Sequence, residues 1–292
     1  MAEKTLRLPL APAPMRLAWY QHKGMQSLIG RTLAFLLATV GALAFLTPFV
    51  WAVSTSLKPS SQIFAFPPIW LPSPILWSNY VTALTELPFG RYFANTATIT
   101  FSAMVGDVLV STTVAYGFAR MRFPGRDLLF LVLLGTMMLP TQVTMIPIFM
   151  IFRALGWVDT FLPLIVPAYF GSAFYIFLLR QFFLTIPGDL EDAALIDGAS
   201  NLQTLWRIFV PLSLPAMATV AIFSFMYHWQ DFFMPLIYLN SKELKTVALG
   251  LQMFRAEFGT DWNLMMAAAV TTAVPCLLLF FLPNATLSAG SS

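Results

Sequence analysis

Charge is scarce in this sequence: 10% of its 292 residues are Asp, Glu, Lys or Arg, against roughly a quarter in an ordinary soluble domain. With 58% of the chain apolar, a water-soluble fold would run out of polar surface. Cysteine is nearly absent; Cys276 stands alone, which excludes an internal disulfide. His22 and His228 are the only histidines, and no Cys and His pair has metal-ligand spacing, so neither a zinc-type centre nor a catalytic constellation can be assembled. No Gly-x-x-x-x-Gly-Lys-(Ser/Thr) occurs, so the usual loop for cradling nucleotide phosphates is missing. The apolar runs do not alternate at period two, which excludes a transmembrane barrel. The formal charge is only +3, with basic residues scattered over loops, and this excludes nucleic acid as a partner.

What the chain does have is six long apolar stretches, at Leu28 to Val53, Ala94 to Ala119, Asp127 to Phe152, Thr160 to Leu184, Leu212 to Leu239 and Trp262 to Leu282. Each is long enough to cross a bilayer at 1.5 Å rise per residue. Backbone groups in lipid must find partners within the protein, so spans of this kind are helices. The reading is an all-α membrane protein: residues 1–27 a cytoplasmic tail, 28–283 one six-helix membrane domain and 284–292 a short C-terminal tail. The first run exceeds a signal-peptide core and is read as a retained span.

Orientation follows from the basic residues. With the N-terminus cytoplasmic, the inside segments hold Lys4, Arg7, Arg16, Lys23, Arg31, Arg120, Arg122, Arg126, Arg180 and Arg207, while the outside holds Lys58, Arg91, Arg153, Lys242, Lys245 and Arg255. The short loop Arg120 to Arg126 decides most, because charge in short loops controls orientation. Both termini are therefore placed inside. The connection Ser54 to Phe93 is dense in proline and aromatics and reads as a loop on the outer membrane face, with Trp70, Trp77 and Tyr80 suited to the headgroup region. Pro48, Pro140, Pro147, Pro235 and Pro275 fall inside apolar runs and predict bent or broken helices.

Carboxylates within spans are costly, roughly 2.5 to 3.5 kcal/mol at the bilayer centre, and face the bundle interior or a wet cavity. Asp107 and Asp231 are such residues. Asp231 follows Tyr227, His228, Trp229 and Gln230, a mixture of hydrogen-bonding and aromatic groups of the kind that binds sugars; Asn95, Gln142, Thr96 and Thr144 also qualify as path-lining residues. The alternative is that these groups pair across helices or shape a gate. Gly106 and Ser111 beside Asp107 favour tight helix packing there.

A polar island separates the fourth and fifth spans, from Ile186 to Pro211. Pro187-Gly188 ends one helix, Asp189 is read as the cap of the next, and Glu191 and Asp192 fall in its first turn, where the helix dipole favours negative charge. This short helix stops near Gly198, and Ser200 with Gln203 forms a capping-box pattern for another that runs to Pro211. The predicted unit is helix, turn, helix on the cytoplasmic face.

Asp192-Ala193-Ala194, Gly198, Ile208 and Pro211 match the spacing of the cytoplasmic Glu-Ala-Ala loop, with Asp192 standing where Glu is usual and Glu191 just before it. The chain thus resembles the permease subunits of bacterial binding-protein-dependent ABC importers, and its six-span layout and Pro-rich external loop look most like the carbohydrate type, the maltose-transporter kind. The resemblance spans about Leu28 to Leu282. It implies that the loop is a coupling helix, with Glu191, Asp192, Ala193, Ala194, Asp197 and Gly198 at the joint with a separate ATPase. It further implies two ATP-binding subunits carrying ATP and Mg, a second and different permease, an extracytoplasmic solute-binding protein and a bacterial inner-membrane location, with no cofactor on this chain. The C-terminus departs from the family in lacking a basic tail. The rival reading is an ion- or proton-coupled secondary transporter using Asp107 and Asp231.

Overall fold

The computed structural model describes residues 23–256 and 261–289. The expected N-terminal tail falls mostly outside them, up to residue 22. Among the described residues every regular element is helical. They are α1 (Lys23–Ser56), α2 (Ser78–Glu86), α3 (Phe89–Arg120), α4 (Arg126–Thr136), α5 (Thr141–Ala154), α6 (Leu162–Ile165), α7 (Ala173–Thr185), α8 (Asp189–Ile196), α9 (Asn201–Thr204), α10 (Val210–Leu212), α11 (Leu214–Trp229), α12 (Phe233–Tyr238), α13 (Val247–Ala256) and α14 (Trp262–Ala289).

The described residues divide after Ala52 into two compact units. The first consists of most of α1, which carries no charged side chain from Thr32 onward. The second is organised on α3. Its buried positions include Thr96, Ala103, Gly106, Ser111, Ala115 and Ala119, a stripe of small residues at helical spacing. Such a stripe lets neighbouring backbones come close. α3 accordingly makes the most extensive contacts in the unit, against α7 and α11. At Gly106 the Tyr169 ring fills the space of a side chain, since a Cβ there would lie 2.7 Å from it.

One apolar cluster gathers Tyr116, Leu179, Phe183, Phe209 and Val220 where α3, α7 and α11 meet the polar loop. Another joins Ala83, Phe89, Tyr92, Phe254 and Leu264 at the opposite end of α3. The polar connectors are thus tied to the bundle at both ends.

Several boundaries differ from the sequence expectation. Among the described residues four helices are individually long and apolar enough to cross a bilayer, and up to six if each sharply bent pair is one span. The stretch Asp127 to Phe152 is such a pair, α4 and α5, meeting at 97°. Pro140 has an extended backbone (ψ 133°) and makes the break that the sequence anticipated. The run Leu212 to Leu239 is interrupted after Trp229, and α12 follows the irregular Gln230–Phe232 turn. The external connection is not wholly a loop: α2 lies within it and packs on α14, burying Ala83 and Asn79. Asn79 donates to the Ser56 and Lys58 carbonyls, an anchor invisible to periodicity. The last helix continues past Leu282 to Ala289.

Candidate functional site

The loop of residues 186–211 folds as helix, turn, helix. Gly188 is the N-cap of α8 and already has helical angles, so Asp189 becomes the first helical residue and makes no capping bond. Its expected capping role is therefore not realised, because Gly188 takes the N-cap position and has no side chain to fill it. Asp189, Glu191 and Asp192 do occupy that turn. At the other end Ala199 N donates to Ala194 O (2.9 Å) and Gly198 N to Leu195 O (3.0 Å), with Gly198 at φ +80°. This is a Schellman closure, which demands left-handed backbone at the glycine. Ser200 and Gln203 then form a reciprocal capping box, Ser200 N to Gln203 Oε1 at 2.8 Å and Gln203 N to Ser200 Oγ at 3.4 Å. The second arm continues through a π-helical turn, Leu205–Phe209, before α10 and an 81° bend into α11.

The loop has two faces. Ala194 is buried and Glu191 is turned inward, 17% exposed. Asp192, Ala193, Asp197 and Gly198 are exposed, as are Leu195, Leu202 and Trp206, and Ile196 is 87% exposed. Glu191 meets two residues that sequence reasoning did not single out for function. Tyr116 donates its hydroxyl to Glu191 Oε1 (3.3 Å), and Arg120 Nη1 lies 3.8 Å from Oε2. Arg120 had been read only as a topogenic charge. The sole hint was a cation ending a span next to a short Pro-Gly loop, and nothing local names its partner 71 residues on, roughly the separation that only tertiary folding closes.

Within the membrane region Asp107, 4% exposed, receives the Ser224 hydroxyl (2.7 Å) and contacts His228 Nε2 (3.1 Å), both through Oδ2. Ser224 and His228 are one turn apart on α11, so this junction pins α3 to α11. A cavity of about 510 Å³ lies alongside, with Thr141, Thr144, Tyr227, His228, Asp231 and Tyr238 among its lining. A second, about 390 Å³, is lined by Asp107, Tyr175, Tyr227 and His228.

The remaining candidates have other placements. Asn95 donates to the Glu243 and Lys245 carbonyls at 2.8 and 2.9 Å. Trp229 donates to Thr272 O (3.1 Å) and stacks on Phe225. Asp231 Oδ1 accepts the Phe233 and Met234 amides (3.1 and 3.2 Å), which caps α12. Gln142 is exposed on α5 and is not part of either cavity wall. Of the intramembrane candidates the structure therefore brings Asp107, Thr144, Tyr227, His228 and Asp231 to cavity walls.

Residues 108–286 match the family described as binding-protein-dependent transport system inner membrane component. The chain belongs to this family. The permease is 32% identical over 259 residues to the probable ABC transporter permease protein YurM of Bacillus subtilis, covering 87% of this chain and 84% of the relative. It is 30% identical over 251 residues to the sulfoquinovosyl glycerol transport system permease protein SmoH of Agrobacterium fabrum, covering 86% and 88%. Its fold is similar to a chain in the crystal structure of a bacterial ABC transporter that imports the acidic polysaccharide alginate, with a TM-score of 0.79 at 24% identity over 92% of this chain and 99% of the other. The permease is accordingly a multi-pass membrane transport subunit, and the expected all-α membrane fold and family membership hold.

Proposed function

We propose that the permease forms one half of the translocation path of an ATP-driven importer for a sugar or sugar-like solute, with residues 186–211 as its contact with a separate ATPase. The observation that carries this reading is the division of that loop: Glu191 and Ala194 are held inward, while Asp192, Ala193, Ile196, Asp197 and Gly198 stand free on the outer face. An exposed isoleucine on a rigidly capped helix suits a protein cleft better than water. Small residues at Ala193 and Gly198 allow a partner's backbone to come close.

The partners in this reading are two ATP-binding subunits carrying ATP and Mg, a second and different permease, and an extracytoplasmic solute-binding protein. Among solved relatives, an alginate ABC transporter is known in complex with a periplasmic protein bound to alginate pentasaccharide. The solute class follows from relatives named for polyhydroxylated cargo, sulfoquinovosyl glycerol and sn-glycerol-3-phosphate. The cavity is mostly apolar, and Tyr227, Tyr238, Thr141, Thr144 and Asp231 are the groups on its wall that such a solute would meet. Residues 28–283 serve as the transport domain in an inner membrane, with both termini cytoplasmic.

Purification in mild detergent should recover the permease with ATP-binding and second permease subunits. Reconstituted, that complex should take up solute only with MgATP and a solute-binding protein. Uptake by this chain alone, driven by a proton or sodium gradient, would instead establish a secondary transporter working through Asp107 and Asp231.

A further inference from the structure

Arg120 ends α3, and its side chain is 12% exposed. Its Nη2 donates to the carbonyls of Phe183 (2.6 Å) and Ile186. These belong to the end of α7 and the residue after it, where the dipole favours a cation; the Phe183 carbonyl accepts the Ile186 amide (3.2 Å) as well as the guanidinium. Nη1 faces Glu191 in the first turn of α8 at 3.8 Å, and the guanidinium carbon lies 4.9 Å from the Phe209 ring centroid in the π-helical turn. Tyr116, one turn earlier on the same face of α3, holds the other Glu191 oxygen and packs edge-on against Phe209, with centroids 5.0 Å apart. The base of α3 is thus fastened to both arms of the 186–211 loop.

Arg120 and Asp107 lie on one unbroken helix, roughly 20 Å apart at 1.5 Å per residue. At that upper point the helix is fastened again, through Ser224 and His228 of α11, and His228 lines both cavities. Packed helices move as units between discrete arrangements, so a displacement at one fixed junction is felt at the other. We propose that Arg120 is a positioning residue which, with Tyr116 and Glu191, makes α3 the rod that carries displacement of the loop to the Asp107 junction and the cavity wall. This rests on the loop being the ATPase contact. Arginine is required here because its planar fork serves carbonyls and a carboxylate at once, and lysine offers only a point charge.

The experiment uses the complex purified with its co-assembling subunits, in a Cys276→Ser background with Tyr227→Cys as reporter. Tyr227 lines the cavity and is 60% exposed. The reaction rate of that cysteine with a membrane-impermeant maleimide is read with and without MgATP and vanadate. With Arg120 present the rate should change by about fivefold or more. Arg120→Gln should nearly abolish that change while ATP hydrolysis persists; Arg120→Lys and Tyr116→Phe, which keep a charge and the ring packing respectively, should fall between. An undiminished nucleotide response in Arg120→Gln overturns the rod. So does dissociation of the complex in both Arg120→Gln and Tyr116→Phe, which would make the cluster a folding clamp. Absence of any response with Arg120 intact removes the proposed function, and the rod with it.

Discussion

Asp159 is the only non-glycine residue with positive φ among the described residues, at 61°. Aspartate tolerates left-handed backbone better than most residues because its short side chain bonds locally. Here it bonds across the fold: Oδ1 accepts the amides of Asn240 (2.9 Å) and Ser241 (2.8 Å), Oδ2 accepts the Ser241 hydroxyl, and its own amide donates to Tyr238 O (2.8 Å). The clasp joins the connector after α5 to the one after α12. The Ser241 hydroxyl first, then the Ser241 and Asn240 amides, hold this carboxyl below the usual aspartate range. A depressed carboxyl stabilises the fold above its unfolded value of about 3.9. That contribution is lost as pH falls through the lower folded value. Hydrogen exchange at the Asn240 and Ser241 amides, normalised to an unstructured peptide, should therefore speed up in the acid range, and Asp159→Asn should remove that acid step. No local pattern in the sequence marks Asp159, since its partners lie about eighty positions away and only the tertiary fold supplies them. Asp107 and Asp231 were legible as carboxylates within apolar runs; Asp107 is buried and Asp231 half-buried. Their separate uses, one pinning two helices and one capping α12, depend on which donors the fold delivers.

Local rules carry furthest at the level of single elements. α8, its turn and the capping box could be read from the chain because each depends on neighbours within about five residues: acids in the first turn, glycine at the left-handed closure, serine and glutamine three apart. Pro140 announced the α4–α5 break for the same reason. α2, the π-helical turn and the early end of α11 could not be read so. α2 is fixed by packing on α14, and the π-helical turn places Phe209 between Tyr116, Phe183 and Arg120. Gly198 separates local from partner effects. An added Cβ would meet nothing within 4 Å, so Gly198→Ala costs only backbone strain, about 1–2 kcal/mol in the left-handed region. Gly198→Arg carries the same backbone strain and adds bulk and charge at an exposed position of the loop. Any further loss of ATPase co-purification beyond Gly198→Ala therefore reports the partner's approach, and equal retention by the two variants would mean that nothing docks there.

For the molecule as a whole, the contacts sort the connectors of residues 53–289 into two sets. Arg120 binds Ile186 and Glu191, which places the segments after α3 and α7 together. Asp159 binds Asn240 and Ser241, while Asn95 near the start of α3 binds Glu243 and Lys245. That alternation is what successive bilayer crossings by α3, α4–α5, α6–α7 and α11–α12 produce, and it treats the bent α4–α5 pair as one crossing. Arg122, Arg126 and Arg207 belong to the first set, and the proposed function, with basic residues in short loops, predicts that it faces the cytoplasm. In a Cys276→Ser background, Asp197→Cys and Glu243→Cys offer exposed reporters on the two sets. An impermeant maleimide should label Glu243→Cys in intact spheroplasts and Asp197→Cys only in inverted vesicles. Labelling of both from one side would break the alternation and reduce the number of crossings. Labelling of Asp197→Cys in intact spheroplasts would leave the 186–211 loop on the wrong face for any ATP-hydrolysing subunit, because nucleotide is supplied from the cytoplasm alone.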